Sequence, residues 1–159
     1  MTIYTLRFGE VDVDESKILS FAAGLPGLEE YTRFAALRFE ESYPIFWLQA
    51  IDDARVCLPV IDSFLALPDY AFELEDSDAS ELDLTSAEDL SVMSVIVIPE
   101  KIEGMTANLA APIVINTRTG NGKQIILQGT DYNARFPIFI EVARIIKEVG
   151  GDAGSVTEN

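Results

Sequence analysis

The side chains that could do chemistry in this chain are overwhelmingly carboxylates: 27 Asp and Glu stand against 11 Lys and Arg, with no histidine and one cysteine. Without imidazole the chain lacks the usual general base, the middle member of a nucleophilic triad and the commonest metal ligand. Cys57 lies in the apolar run Val56-Cys57-Leu58 with no base beside it and reads as a small buried hydrophobe. A single thiol builds neither an internal disulfide nor a zinc cluster. Adjacent acids occur at Glu29-Glu30, Glu40-Glu41 and Asp52-Asp53. On a strand such neighbours point to opposite faces, so they do not share one proton-transfer site.

Two loops invite a comparison with ligand motifs. Asp76-Ser77-Asp78-Ala79-Ser80-Glu81 alternates oxygen donors as a calcium loop does, but Glu81 stands where that loop needs its glycine and Ala87 where it needs a bidentate acid. Gly120-Asn121-Gly122-Lys123 lacks the first glycine of a phosphate loop, and Gln124 replaces the magnesium-binding hydroxyl. It reads as a hairpin turn between Ile113–Thr117 and Gln124–Leu127. No cofactor and no metal are expected. A small β-barrel enzyme using carboxylates and a divalent metal is the alternative to a binding protein.

The charge is concentrated. Of the net charge of −16, half falls in residues 73–89, which hold eight acids and no base. Such a run cannot bury itself and is expected as a solvated loop or exposed edge. One reading is a solubilising face. The other is an electrostatic docking surface for a basic partner, with Glu73, Glu75, Asp76, Asp78, Glu81 and Asp83 as steering groups. Phe72, Leu74, Leu82 and Leu84, interleaved with the acids, suit the second reading or anchor an edge strand. Direct nucleic-acid binding is not expected, since phosphate recognition needs a basic footprint.

The elements that must position these groups are mostly strands. A chain of 159 residues forms one domain burying roughly 70 % of its unfolded surface. Strands are expected at Ile3–Phe8, Ile18–Ala22, Phe34–Phe39, Ile45–Ile51, Val56–Ile61, Val92–Ile98, Ile113–Asn116 and Gln124–Leu127. Turns fall at Gly9, Gly24-Leu25-Pro26-Gly27, Pro44, Asp52-Asp53, Pro68-Asp69, Pro99 and Thr119–Gly122. The strands IFWLQAI and VMSVIVI are apolar on both sides, so neither face is wet.

Short helical turns are expected at Glu29–Arg33 and after a Ser86 cap. A longer helix is expected over Pro137–Val149, opened by Pro137 and ended by Gly150-Gly151. The fold class is therefore mainly β: a compact, antiparallel, barrel-like single domain over residues 1–150 with short helices and a C-terminal helix, followed by a flexible tail at 151–159. The N-terminus has no basic flank or apolar core of a leader, and no apolar run reaches about 18 residues. The expected setting is the cytoplasm, away from membranes.

A series of short strings carries a family resemblance: Gly24-Leu25-Pro26-Gly27-Leu28-Glu29, Arg33-Phe34, Pro44 leading to Trp47-Leu48-Gln49, Thr106-Ala107-Asn108-Leu109, Ala111-Pro112-Ile113-Val114-Ile115-Asn116, and Lys123-Gln124-Ile125-Ile126-Leu127. In this order and spacing, from about Ile18 to about Pro137, they resemble the flagellar assembly factor FliW family. The sequence departs from it at Leu28, Ala50 and Phe136, where phenylalanine, serine and histidine are usual. The resemblance implies a non-enzymatic cytoplasmic binding protein with a compact β-barrel-like fold. It also implies two exchanging partners: flagellin before export, and CsrA, a dimeric RNA-binding regulator that blocks flagellin translation. The motif residues read as structural: Gly24, Pro26 and Gly27 for a tight turn, Asn108 and Asn116 for strand-end hydrogen bonds, with Gln49 and Pro112 as further structural positions.

Overall fold

A computed structural model describes the backbone of residues 1–157 and the side chains of residues 1–149. Eleven strands and three α-helices follow in chain order: β1 (Thr2–Thr5), β2 (Gly9–Asp12), β3 (Leu19–Ser20), β4 (Arg33–Leu37), β5 (Ile45–Ala50), β6 (Cys57–Asp62), α1 (Ser63–Ala66), α2 (Asp76–Glu81), β7 (Leu90–Val97), β8 (Thr106–Ala107), β9 (Ile113–Asn116), β10 (Gly122–Gln124), β11 (Phe136–Pro137) and α3 (Phe139–Thr157). Every ladder is antiparallel. β1 and β2 form a separate hairpin, and the main sheet runs β10-β9-β7-β6-β5-β4-β3, with β8 pairing the end of β7 and β11 pairing β8.

The alternation of side chains across this sheet explains its apolar strands. Phe34, Phe46, Leu48, Val60, Met93, Ile113 and Ile115 share one face, where Phe21 and Leu25 close a fully dry cluster. The opposite face has three covers. The β1–β2 hairpin lies over Ala35, Leu37 and Trp47. The last helix and the residue just before it bring Val142 and Ile138 onto Ile61 and Ile96. The acidic segment brings Leu82 and its neighbours onto Val92 and Val114. A strand covered on both sides needs no polar face, and β5 and β7 are built accordingly.

The sheet does not close into a ladder-bonded barrel among the described residues. Its edge strands β3 and β10 meet at a single parallel bridge, Ser20 with Asn121, where the Ser20 N–H donates to the Gly120 carbonyl at 2.8 Å. β3 has only two residues, too few to carry a seam, so the barrel stays open beyond that point.

Other expectations are corrected. Glu29–Arg33 is no helical turn: Leu28 donates to the Leu25 carbonyl and Tyr31 to that of Leu28, giving successive tight turns that deliver Arg33 directly into β4. Pro137 does not open the last helix. It sits in β11 opposite Thr106, and α3 begins at Phe139. That helix also continues past Gly150 and Gly151 to Thr157, since glycine weakens a helix without by itself ending it. Of the tail expected at 151–159, the side chains, and residues 158–159 altogether, lie outside the described residues. The strand expected at Gln124–Leu127 lies instead at Gly122–Gln124, with residues 125–127 outside it, and strands β2, β8 and β11 have no counterpart among the expected strands. Ser86 does cap a 3₁₀ turn at Ala87–Asp89, accepting from the Glu88 N–H at 3.3 Å.

Candidate functional site

The register of the sheet decides where the acidic run sits. Lys123 lies opposite Val114 across the β10–β9 ladder, and directly opposed residues share a face. Asn116, two residues beyond Val114, shares it too. Both therefore emerge beneath the acidic segment. Asn116 Nδ2 donates to the carbonyls of Leu82 at 2.9 Å and Asp83 at 3.1 Å, and its Oδ1 accepts from the Arg118 N–H at 2.9 Å. Lys123 Nζ donates to Asp78 Oδ1 at 2.7 Å and Glu81 Oε2 at 2.6 Å.

Residues 78 and 81 are one turn apart on α2, so both carboxylates come from the same side of that helix. They hold the ammonium and lift its pKa to about 12. Arg118 repeats the arrangement further along, donating to the Asp83 carbonyl at 3.0 Å and lying 3.4 Å from its carboxylate and 3.8 Å from that of Asp89. Asp83 itself takes a φ of 54°, a left-handed turn residue that ends α2.

The acidic segment is exposed along most of its length, as expected, but it carries α2 and is anchored, and the six expected steering groups divide. Asp78, Glu81 and Asp83 are partnered and latch the segment to the β9–β10 hairpin. Glu73, Glu75 and Asp76 are exposed and make no ion pair among the described residues. Between them Phe72 and Leu74 are half-buried, the period of an extended chain with one apolar face. An open groove of about 890 Å³ runs between residues 72–76 and 123–128. Phe72, Leu74, Ile125 and Leu127 line its base, and the three exposed carboxylates stand on one rim.

Among the expected structural residues, only Asn116 reaches this segment. Pro26 and Gly27 are the middle of the turn closed by Leu28 on Leu25 at 2.7 Å, and the Gly27 N–H donates to Glu29 Oε1 at 2.9 Å. Gly24 has a φ of 71°, and a Cβ there would lie 2.4 Å from the Glu29 backbone. Gln49 is fully buried in β5 and donates to the Ala50, Asp53 and Ala54 carbonyls. Asn108 Oδ1 accepts from the N–H groups of Ala110 and Ala111, both at 3.1 Å, and the Pro112 carbonyl accepts from Ile125.

Sequence reasoning passed over Lys123 and Arg118 as anchors and did not find the cluster at Asp53. There the Tyr31 hydroxyl donates at 2.8 Å and Arg55 closes a two-pronged pair, with the neighbouring Asp52 on Arg33 at 2.8 Å. A signal existed in the first case: a base on a hairpin near eight unaccompanied acids has few other partners. Cys57 is half-buried against the N-terminal hairpin, and burial pushes its thiol pKa up. No group of three or more Asp, Glu, Cys or His among the described residues is arranged to hold a metal ion. No described helix is long and apolar enough to cross a membrane.

Comparison with known proteins adds to this geometry. The sequence profile of the FliW protein family matches residues 2–138. The flagellar assembly factor FliW of Alkaliphilus metalliredigens is 34 % identical over 146 residues, spanning 91 % of this chain and 90 % of that one. The protein of the same name from Caldanaerobacter subterraneus subsp. tengcongensis is 39 % identical over 143 residues, covering 89 % and 95 %. A crystal structure of the flagellar assembly factor FliW superposes with a TM-score of 0.82 at 31 % identity, over 87 % of this chain and 97 % of that one. A likeness of this extent in sequence, with the same chain path in three dimensions, places the chain in the FliW family of flagellar assembly factors.

Proposed function

We propose that this protein is a non-enzymatic cytoplasmic switch that binds flagellin before export and, alternately, the RNA-binding regulator CsrA. Capture of CsrA relieves its block on flagellin translation, and accumulating flagellin displaces it. The observation that carries the reading is the likeness, over 91 % of this chain, to a protein named as a flagellar assembly factor, with the family profile matching residues 2–138. The surface chemistry supports it. A regulator that binds RNA must present basic side chains, and a chain of net charge −16 attracts such a surface over many ångströms. Of the six expected steering groups, Glu73, Glu75 and Asp76 are left without an ion pair among the described residues, so they are the ones of that set free to steer an encounter.

Competition between purified partners tests this directly. Flagellin and CsrA from the source organism should each bind the immobilised protein, and rising flagellin should release bound CsrA. Failure of both to bind a folded sample would overturn the reading. Simultaneous, independent binding would overturn the switch.

A further inference from the structure

The groove beside the acidic segment is bounded by two backbone edges with hydrogen-bonding capacity to spare. β10 is the last strand in its sheet. Beyond it Ile125 donates to the Pro112 carbonyl and Leu127 to that of Ala110, both at 2.9 Å, so pairing with the β9 side continues past Gln124. Alternate residues of an antiparallel ladder turn their N–H and C=O groups to opposite sides. Gln124, Ile126 and Gln128 therefore turn theirs to the groove. None of these three N–H groups donates to another group among the described residues. Across the groove, Phe72, Glu73 and Leu74 belong to no helix or strand and also lack backbone partners among the described residues.

Unused donors and acceptors on both walls, an apolar base and an acidic rim together fit one kind of occupant. We propose that this groove takes an extended segment of a protein partner by strand addition, its apolar side chains alternating with Lys or Arg. The apolar residues settle on Phe72, Leu74, Ile125 and Leu127. The basic ones meet Glu73, Glu75 and Asp76. The chain already begins such a pairing itself: β3 meets this edge at the Ser20–Asn121 bridge and ends there, leaving the rest of the edge unoccupied. A second copy offering its own 72–76 segment is a poor occupant, because that segment carries the same carboxylates. The inference rests on the function proposed above only in taking the occupant to be a protein.

The probe is a fluorescein-labelled ten-residue peptide alternating Val and Lys, followed by anisotropy against the full chain. Ile126→Pro removes a donor that the fold does not use, on a side chain 66 % exposed. Binding should weaken at least tenfold in Ile126→Pro and stay within twofold in Ile126→Val. Absence of binding to the unaltered chain, equal binding by Ile126→Pro, or equal binding of a Val and Glu peptide would overturn the proposal. Amide hydrogen exchange on the unaltered chain keeps the test independent of the variant's folding. Peptide should slow exchange at Gln124, Ile126 and Gln128 far more than at Ile125 and Leu127, which are already bonded, and unchanged rates would overturn it. A dimer that forms without peptide and protects the same amides would assign the groove to a second copy instead. Since the peptide contains neither flagellin nor CsrA, its result stands apart from the competition experiment.

Discussion

Asp53 accepts hydrogen bonds from the Arg55 guanidinium and N–H and from the Tyr31 hydroxyl, and these partners hold its pKa well below the ordinary 3.8. A depressed folded-state pKa gives stability that is present above the unfolded-chain value and is lost as pH falls through the folded one. The protein should therefore lose stability as it is acidified below about pH 4, and Asp53→Asn should flatten that loss while lowering stability at neutral pH. Urea unfolding across this range measures both, and an unchanged acid slope in the variant would assign the titration to another group. Gly24 carries a sterner local constraint. Gly24→Ala puts a methyl group into the Glu29 backbone at a φ of 71° and should cost at least about 1–2 kcal/mol in the same experiment. The glycine and proline positions of this turn were legible in the sequence because the reason for them is local. The partners of Asp53 and Lys123 were not: Tyr31 lies 22 residues from Asp53, and Asp78 lies 45 from Lys123.

At the scale of elements, strands with a strong pattern were legible and short ones were not. Ile113–Asn116 is read from β-branched residues alone, and the two-sided apolar character of β5 and β7 announces a sheet covered on both faces. β8 and β11 have two residues each and exist because β7 and the approach to α3 bring them together, a tertiary cause with no local signature. The anchoring of the acidic segment was illegible for a related reason. Its composition favours solvation, but Lys123, Arg118 and Asn116 reach it from the β9–β10 hairpin and hold it down. Asn116→Ala removes two hydrogen bonds to that segment and should cost about 1–3 kcal/mol. It should also speed amide exchange through residues 76–84 ahead of the rest of the chain. Uniform loss of protection would mean that the segment is not a separately latched unit.

For the whole molecule, the sequence yielded the charge and its concentration but not its disposition. Folding neutralises part of the acidic segment internally and leaves Glu73, Glu75 and Asp76 on the rim of a groove with an apolar base. That arrangement joins long-range attraction to a place where a complex can be held, which a uniformly charged surface does not provide. The most direct test is the rate of association with CsrA as a function of salt, comparing Glu73→Gln/Glu75→Gln/Asp76→Asn with a control of equal charge change, Glu40→Gln/Glu41→Gln/Asp69→Asn, drawn from exposed acids elsewhere. The groove-rim variant should associate several-fold more slowly at low salt, with a shallower salt dependence, while the control stays close to the unaltered chain. Equal rates for the two variants, or no change in either, would contradict a docking role for this acidic face.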